Sequence, residues 1–132
     1  MQQEAPKQVI IADDWLNVQA GLRVLLDQQP DFQVVGQVTS GDELLAVVAA
    51  DCPDLILLDW GLHDKGSGAL LPALRQICPS VTVVVLSGRV DARPAALAAG
   101  SDAFISKTDP PDRLLAALRL LGKWESGHRE HC

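Results

Sequence analysis

Polar residues with chemical capability stand at the ends of apolar runs in this sequence. Asp13 and Asp14 follow the first such run, Asp59 ends the third, Ser87 ends the fourth and Lys107 ends the fifth. Each residue has an ordinary explanation by itself: Asp14 as a helix cap, Asp59 as a loop acid, Ser87 as a turn residue and Lys107 as a solvated strand end. The recurrence of the pattern at four run ends favours a shared site.

Three carboxylates gathered in one place need a cation. Two carboxylates ~4 Å apart repel each other by about 4 kcal/mol at an effective dielectric near 20. Carboxylate oxygens with room for water suit Mg²⁺, which prefers octahedral oxygen coordination. A carboxylate beside Mg²⁺ and a lysine ammonium is equipped to receive a phosphoryl group, since both cations offset its negative charge.

The elements that hold these residues alternate along the chain. Short apolar runs rich in β-branched residues predict five strands, at 8–13, 33–38, 54–59, 81–87 and 102–107. Leucines and valines at helical spacing lie between the runs, and a short alanine-rich segment, 91–100, supplies the fourth predicted helix. Near-continuous apolar strands alternating with helices predict an α/β fold, a doubly wound five-stranded parallel sheet with helices on both faces. The carboxyl ends of such strands meet at one edge, where sites form.

The composition narrows the class of protein. The 132 residues are 48% hydrophobic and carry a formal net charge of −6, which does not favour nucleic acid or anionic membranes. No apolar stretch approaches the ~20 residues of a membrane span. Three cysteines, Cys52, Cys78 and Cys132, are an odd number, so we expect no paired framework, reduced thiols and a cytoplasmic location.

The ordered set of acid pair, strand-end Asp, strand-end Ser and strand-end Lys resembles the receiver domain of bacterial two-component response regulators. The resemblance covers roughly residues 8–121, and the segments "IADDWLNVQAGLRVLLDQQPDFQVVGQV" and "AFISKTDPPDRLLAAL" are similar to the NarL/FixJ subfamily. It implies a CheY-like, flavodoxin-like fold with strand order 2-1-3-4-5. It also implies a receiver over residues 1–121 and a polar tail or start of a linker over 122–132.

The resemblance assigns roles to these residues. Asp59 is the expected phosphoryl acceptor, with Lys107 and Ser87 contacting the phosphoryl group. Mg²⁺ is the expected cofactor, held by Asp59, by Asp14 directly, by Asp13 through water and by the backbone carbonyl of Gly61.

Ser87 and Phe104 are the expected switch residues, although a plain core role for Phe104 fits the sequence equally well. The sequence departs from the family pattern at His63 and Leu62, where the family commonly has proline and methionine. It also departs at Thr108, where proline often follows the lysine; His63 is either a solvated loop residue or an influence on the pH response of the site.

The resemblance also implies partners. A sensor histidine kinase is the expected phosphoryl donor, and the surface of the fourth helix, fifth strand and fifth helix, with Arg113 and Arg119, is the expected face of a phosphorylation-dependent homodimer. DNA is expected to be contacted only through an output domain that these 132 residues do not hold, so the chain is either a stand-alone receiver or a fragment of a transcription regulator. Catalysis is expected to be limited to self-phosphorylation and autodephosphorylation.

Two other functions share features with this pattern. A pseudo-receiver would keep the fold as a protein-interaction module that phosphate does not regulate, but the complete set of site residues argues against it. A haloacid-dehalogenase-like phosphatase also uses a strand-end Asp with Mg²⁺. That family needs a second acid two residues after the nucleophile, where this chain has Gly61.

Overall fold

The computed structural model describes residues 5–62 and 67–122 of the chain. Within these residues, strands and helices alternate as the sequence predicts. The strands are β1 (Lys7–Ala12), β2 (Phe32–Val38), β3 (Leu55–Asp59), β4 (Thr82–Ser87) and β5 (Ala103–Ser106). The α-helices are α1 (Leu16–Asp27), α2 (Gly41–Ala50), α3 (Ser67–Ile77), α4 (Arg93–Ala98) and α5 (Pro111–Gly122), and a short 3-10 turn, Val90–Ala92, precedes α4.

The strands form one parallel sheet in the order β2-β1-β3-β4-β5, which confirms the predicted fold class. Ala12 at the end of β1 pairs with Leu58 of β3, and Asp59 pairs with Leu86 of β4. Ser87 pairs with Ser106 of β5. This register brings the carboxyl ends of the four strands β1, β3, β4 and β5 to the same edge of the sheet.

The sheet separates two hydrophobic cores, and β3 contributes to both. Ile56 and Leu58 pack on one face with side chains from α2, α3 and α4, whereas Leu55 and Leu57 pack on the other with side chains from α1 and α5. Successive side chains of a strand point to opposite faces, so a strand covered on both sides must be apolar at every position. This explains why β3 has no polar residue before Asp59.

The expectation of reduced, unpaired cysteines is wrong for Cys52 and Cys78. Cys52 and Cys78 form a disulfide with a Cα–Cα distance of 5.8 Å. Their separation of 26 residues in sequence conceals this proximity, because α2 and α3 pack on the same face and bring Cys52, just after α2, beside Cys78, just after α3. The pair lies at the amino edge of the sheet, opposite the strand-end polar residues.

Several sequence-based expectations fall outside the described residues. His63, Cys132 and the tail from residue 123 onward are among them. Among the helices that the structure describes, none combines the length and the apolar character needed to cross a bilayer.

Closing a loop of this length predicts a measurable contribution to stability. The Cys52→Ser substitution, or reduction of the wild type, should lower the free energy of unfolding by about 3 kcal/mol, because the unlinked unfolded chain regains conformational freedom. Cys52 is exposed, so the serine hydroxyl itself is solvated. Urea unfolding with and without dithiothreitol measures the difference, and Cys132→Ser is the control that should respond to reductant like the wild type. A wild type whose urea midpoint ignores dithiothreitol would contradict this prediction.

Candidate functional site

Three carboxylates meet at the carboxyl edge of the sheet. Carboxylate oxygens of Asp13, Asp14 and Asp59 all lie within 4.8 Å of one another. Asp59 is the last residue of β3, and Asp13 directly follows β1, where its N–H extends the sheet by donating to the carbonyl of Val38 at 3.1 Å. Asp13 and Asp59 are only 1% and 6% exposed. The predicted clustering of the three acids is confirmed.

Lys107 brings a positive charge to this cluster. Its backbone N–H donates to the carbonyl of Ser87 at 2.8 Å, which anchors the residue just beyond β5. Its ammonium nitrogen lies 2.8 Å from Asp13 Oδ2 and 3.0 Å from Asp59 Oδ1. One ammonium therefore bridges acids from two neighbouring strands.

Burial and the contact between Lys107 and the acids shift the pKa values of these groups in opposite directions. Burial raises the pKa of Asp13, and the charge of Asp59 adds to this effect; hydrogen bonds from Lys107 and from the Trp15 N–H only partly oppose it. Burial by itself would lower the pKa of Lys107, but its hydrogen bonds and charge interactions with Asp13 and Asp59 outweigh burial and raise it. Lys107 is therefore a firmly protonated cation, whereas ionisation of Asp13 costs free energy.

Ser87 and Gly61 flank the acids. Ser87 is 6% exposed at the end of β4, and its Oγ accepts the Arg89 N–H at 3.0 Å, so the hydroxyl remains able to donate. The Gly61 N–H donates to Asp59 Oδ1 at 3.3 Å. The predicted roles of the Gly61 carbonyl and the Ser87 hydroxyl toward a metal or a phosphoryl group stay predictions.

Phe104 lies in the hydrophobic core rather than in the acidic cluster. It is 4% exposed in β5, and the Arg93 guanidinium stands 5.8 Å from the ring centroid. Arg93 Nη1 also donates to the Phe104 carbonyl at 3.4 Å. The ring thus has a core position, and its role as a switch stays a prediction.

Two features of α1 differ from what the sequence indicates. The N-cap of α1 is Trp15, so Asp14 is not the helix cap. Gln19, which the sequence reasoning passed over, is 5% exposed and donates to the carbonyl of Asp13. A signal for Gln19 exists, because residues 19, 22 and 26 follow the spacing of one helix face and the other two are leucines.

The donor set fits a hard divalent cation. Three carboxylates in close proximity, two of them buried, offer the oxygen ligands that Mg²⁺ prefers and leave coordination positions for water or a phosphoryl oxygen. The tip of β3 then presents a carboxylate oxygen between this cation site and the Lys107 ammonium. Such an arrangement is suited to nucleophilic attack on an electrophile that carries negative charge.

Neutralising Asp13 should stabilise the metal-free protein. Asp13 stands beside two further carboxylates, so Asp13→Asn removes repulsion while its amide oxygen can still accept the Trp15 N–H. After allowance for solvent and salt screening, we expect a gain of roughly 1 kcal/mol at neutral pH in EDTA. Mg²⁺ should reverse the order by stabilising the wild type through binding.

The effect of pH on this difference has a definite sign. The pKa of folded Asp13 is raised above 3.8, so the folded state holds this proton more tightly than the unfolded chain does. The Asp13 contribution to stability is therefore largest below pH 3.8 and falls as the pH rises through the raised pKa. Urea melts from acid to neutral pH measure the gap between variant and wild type, which should widen with pH. Asp54→Asn, at the amino edge where Asp54 accepts the Gln8 N–H, is the control without a gain, and a less stable Asp13→Asn in EDTA would show that the acid is structural.

Comparison with known proteins agrees with this geometry. Residues 9–119 match the model of the response regulator receiver domain family. The chain is 33% identical over 117 residues to the uncharacterized transcriptional regulatory protein YhcZ of Bacillus subtilis (strain 168), covering 86% of this chain and 54% of that protein. It is 30% identical over 120 residues to the nitrate/nitrite response regulator protein NarL of Escherichia coli (strain K12), covering 89% of this chain and 56% of NarL.

Solved structures share the fold. A CheY-like response regulator receiver domain protein from Methanospirillum hungatei JF-1 superposes with a TM-score of 0.80 at 24% identity, covering 95% of this chain and 98% of that one. The chain spans a little more than half the length of the curated relatives described above. The match over residues 9–119, together with the acid cluster and its lysine, shows that the chain belongs to the receiver domain family of two-component response regulators.

Proposed function

We propose that this receiver domain takes a phosphoryl group from the phosphohistidine of a sensor histidine kinase onto Asp59. The observation that carries the proposal is the position of Asp59, which stands at the end of a strand buried on both faces, 3.0 Å from the Lys107 ammonium and beside two further carboxylates. An acid with only a structural role would not be stabilised by two neighbouring carboxylates. A phosphoryl acceptor, by contrast, needs a nearby ammonium and carboxylates that can hold a metal ion.

The proposed step uses residues of this chain in distinct roles. A carboxylate oxygen of Asp59 attacks the phosphorus atom, the new O–P bond forms as the P–N bond breaks, and the histidine nitrogen leaves with the electron pair and takes up a proton. Lys107 pairs with the transferring oxygens, and the Ser87 hydroxyl donates to one of them. Mg²⁺, when held by Asp13, Asp14, Asp59 and the Gly61 carbonyl, supplies further positive charge at the phosphoryl oxygens.

Apolar side chains beside the acids favour docking of a protein donor. Trp15 and Leu16 directly follow the acid pair and are 64% and 69% exposed. Val90, 70% exposed, lies in the 3-10 turn after β4 at the same edge of the sheet. Exposed apolar groups around an acidic cleft suit a macromolecular partner better than a small free metabolite.

The proposed output follows from the contacts of β4 and β5. Movement of the Ser87 hydroxyl toward the phosphoryl group breaks its bond to the Arg89 N–H and frees the start of the 3-10 turn and α4. Phe104 then changes position, and with it Arg93, which contacts both its ring and its carbonyl. The surface formed by α4, β5 and α5 changes shape and regulates transcription in the cytoplasm, with DNA contacted by an output domain. The receiver is proposed to occupy residues 1–121 and the linker or tail residues 122–132.

Phosphorylation by a small donor tests the proposal directly. Wild type incubated with acetyl phosphate and Mg²⁺ should gain the mass of one phosphoryl group, and EDTA should prevent the gain, because both nucleophile and metal site belong to this chain. Asp59→Asn should take up none. Asp51→Asn, which changes an exposed acid at the end of α2 near the amino edge, is the matched control and should react like the wild type.

Two results would refute this function. Equal uptake by wild type and Asp59→Asn would place the phosphoryl group elsewhere. No uptake by the wild type, either from acetyl phosphate or from a set of phosphorylated histidine kinases, would favour the pseudo-receiver.

Phosphorylation should also promote a homodimer through the surface of α4, β5 and α5. Leu97 on α4 is 42% exposed, and Leu120 on α5 is 69% exposed. Arg119 contributes less than the sequence indicates, because it is engaged by Asp31 at 2.8 Å and lies over Phe32. Light scattering should show the mass doubling with beryllium fluoride, a phosphoryl mimic, and Mg²⁺.

Leu97→Asp should remain monomeric under these conditions, because a charge there opposes the apolar contact. Val24→Asp, which changes a 58% exposed apolar residue on α1, should still dimerise. A wild type that keeps one mass with and without the mimic would exclude this assembly.

A further inference from the structure

We propose that Gln19 is a positioning residue for the acidic cluster and that its two amide N–H groups set the Mg²⁺ affinity of the site. The inference deepens the proposed function and rests on it. Gln19 lies in the first turns of α1 and is 5% exposed. Its Nε2 donates to the carbonyl of Asp13 at 2.6 Å and to the carbonyl of Val38 at 2.6 Å.

Both the nitrogen and the oxygen of the Gln19 amide make hydrogen bonds. Both hydrogens of Nε2 are used, and Oε1 accepts from Gln37 Nε2 at 3.4 Å. An amide has two donor hydrogens and an oxygen with two acceptor positions, so Gln19 uses both donors and one acceptor position on groups from the β1–α1 connection and from β2. A carboxylate or an apolar side chain of the same length offers neither donor.

These contacts converge on the backbone that carries two of the three acids. Val38 O accepts both the Asp13 N–H at 3.1 Å and the Gln19 amide. The Asp13 carbonyl, which Gln19 holds, belongs to the peptide unit that joins Asp13 to Asp14. The orientation of that peptide fixes where both carboxylates stand relative to Asp59.

Gln19 therefore acts on the metal through backbone geometry, without touching it. Asp59 ends β3, and the Lys107 N–H donates to the carbonyl of Ser87 at the end of β4, so the backbone of neither residue is held by Gln19. Loss of the Gln19 donors should leave the backbones of Asp59 and Lys107, and the contact between these two side chains, in place while displacing the acid pair. The consequence is weaker Mg²⁺ binding with the chemistry intact once the metal is bound.

The test compares Gln19→Met, which keeps the length and removes the donors, with Gln19→Glu, which keeps the shape and presents an acceptor to two carbonyls. Gln29→Met is the matched control, because Gln29 makes an amide-to-backbone bond to Leu25 O at the other end of α1. Leu26→Val, a core change in the same helix, controls for loss of stability without contact to Asp13. Gln19→Asn, which keeps the amide but is one methylene too short, is the substitute if Gln19→Met does not fold.

Mg²⁺ titration followed by tryptophan fluorescence is the main measurement, since Trp15 and Trp60 each follow a proposed ligand. The dissociation constant should rise about tenfold in the Gln19 variants, the size typical of removing a partner that orients a metal ligand. The controls should bind Mg²⁺ like the wild type. In acetyl phosphate reactions the Mg²⁺ concentration for half-maximal rate should rise by the same factor, with the maximal rate within about twofold of the wild type.

The outcomes separate this inference from the proposed function. Unchanged Mg²⁺ affinity in the Gln19 variants, or an equal rise in Leu26→Val, overturns the positioning role even if the wild type is phosphorylated. A wild type that binds Mg²⁺ but is never phosphorylated refutes the proposed function, while the Gln19 role is still decided by the affinities. A wild type without any Mg²⁺ response overturns both.

Discussion

The site depends on placing several carboxylates close together at the buried carboxyl edge of the sheet. Asp13 and Asp59 are almost fully buried, and burial of a carboxylate is unfavourable unless a cation or donors compensate it. Lys107 compensates both at once by standing 2.8 Å and 3.0 Å from them. The three carboxylates beside this ammonium offer the oxygen ligands that a divalent cation such as Mg²⁺ prefers.

Holding these charges in place requires a rigid support, which the parallel sheet provides. The register of β1, β3, β4 and β5 determines which residues lie side by side at the carboxyl edge of the sheet. Backbone hydrogen bonds continue the sheet pairing beyond the strand ends and hold the site residues in place. Examples are the bonds from the Lys107 N–H to Ser87 O and from the Trp60 N–H to Leu86 O. The apolar strands are in turn held by two separate cores, so the position of Asp59 is determined from both faces.

The sequence predicts the fold and the ionic part of the site well, for a physical reason. Strand burial is a periodic signal, and residues at strand ends inherit a common location from the parallel topology, so Asp13, Asp14, Asp59 and Lys107 can be placed together without coordinates. Contacts that depend on side-chain direction or on packing between distant segments leave no such signal. The disulfide between Cys52 and Cys78 depends on how α2 and α3 pack. The dual bond of Gln19 depends on a buried amide within a helix that otherwise presents leucines.

The disulfide has a topological consequence for the chain. It closes a covalent ring from Cys52 to Cys78 that contains all of β3, with Asp59 at its end, and all of α3. A single backbone cut anywhere within this ring would not separate the molecule into two fragments, because the cystine would still join them. The strand that carries the nucleophile is thus tied to the rest of the protein by a covalent link as well as by the backbone, and only reduction together with cleavage would release it.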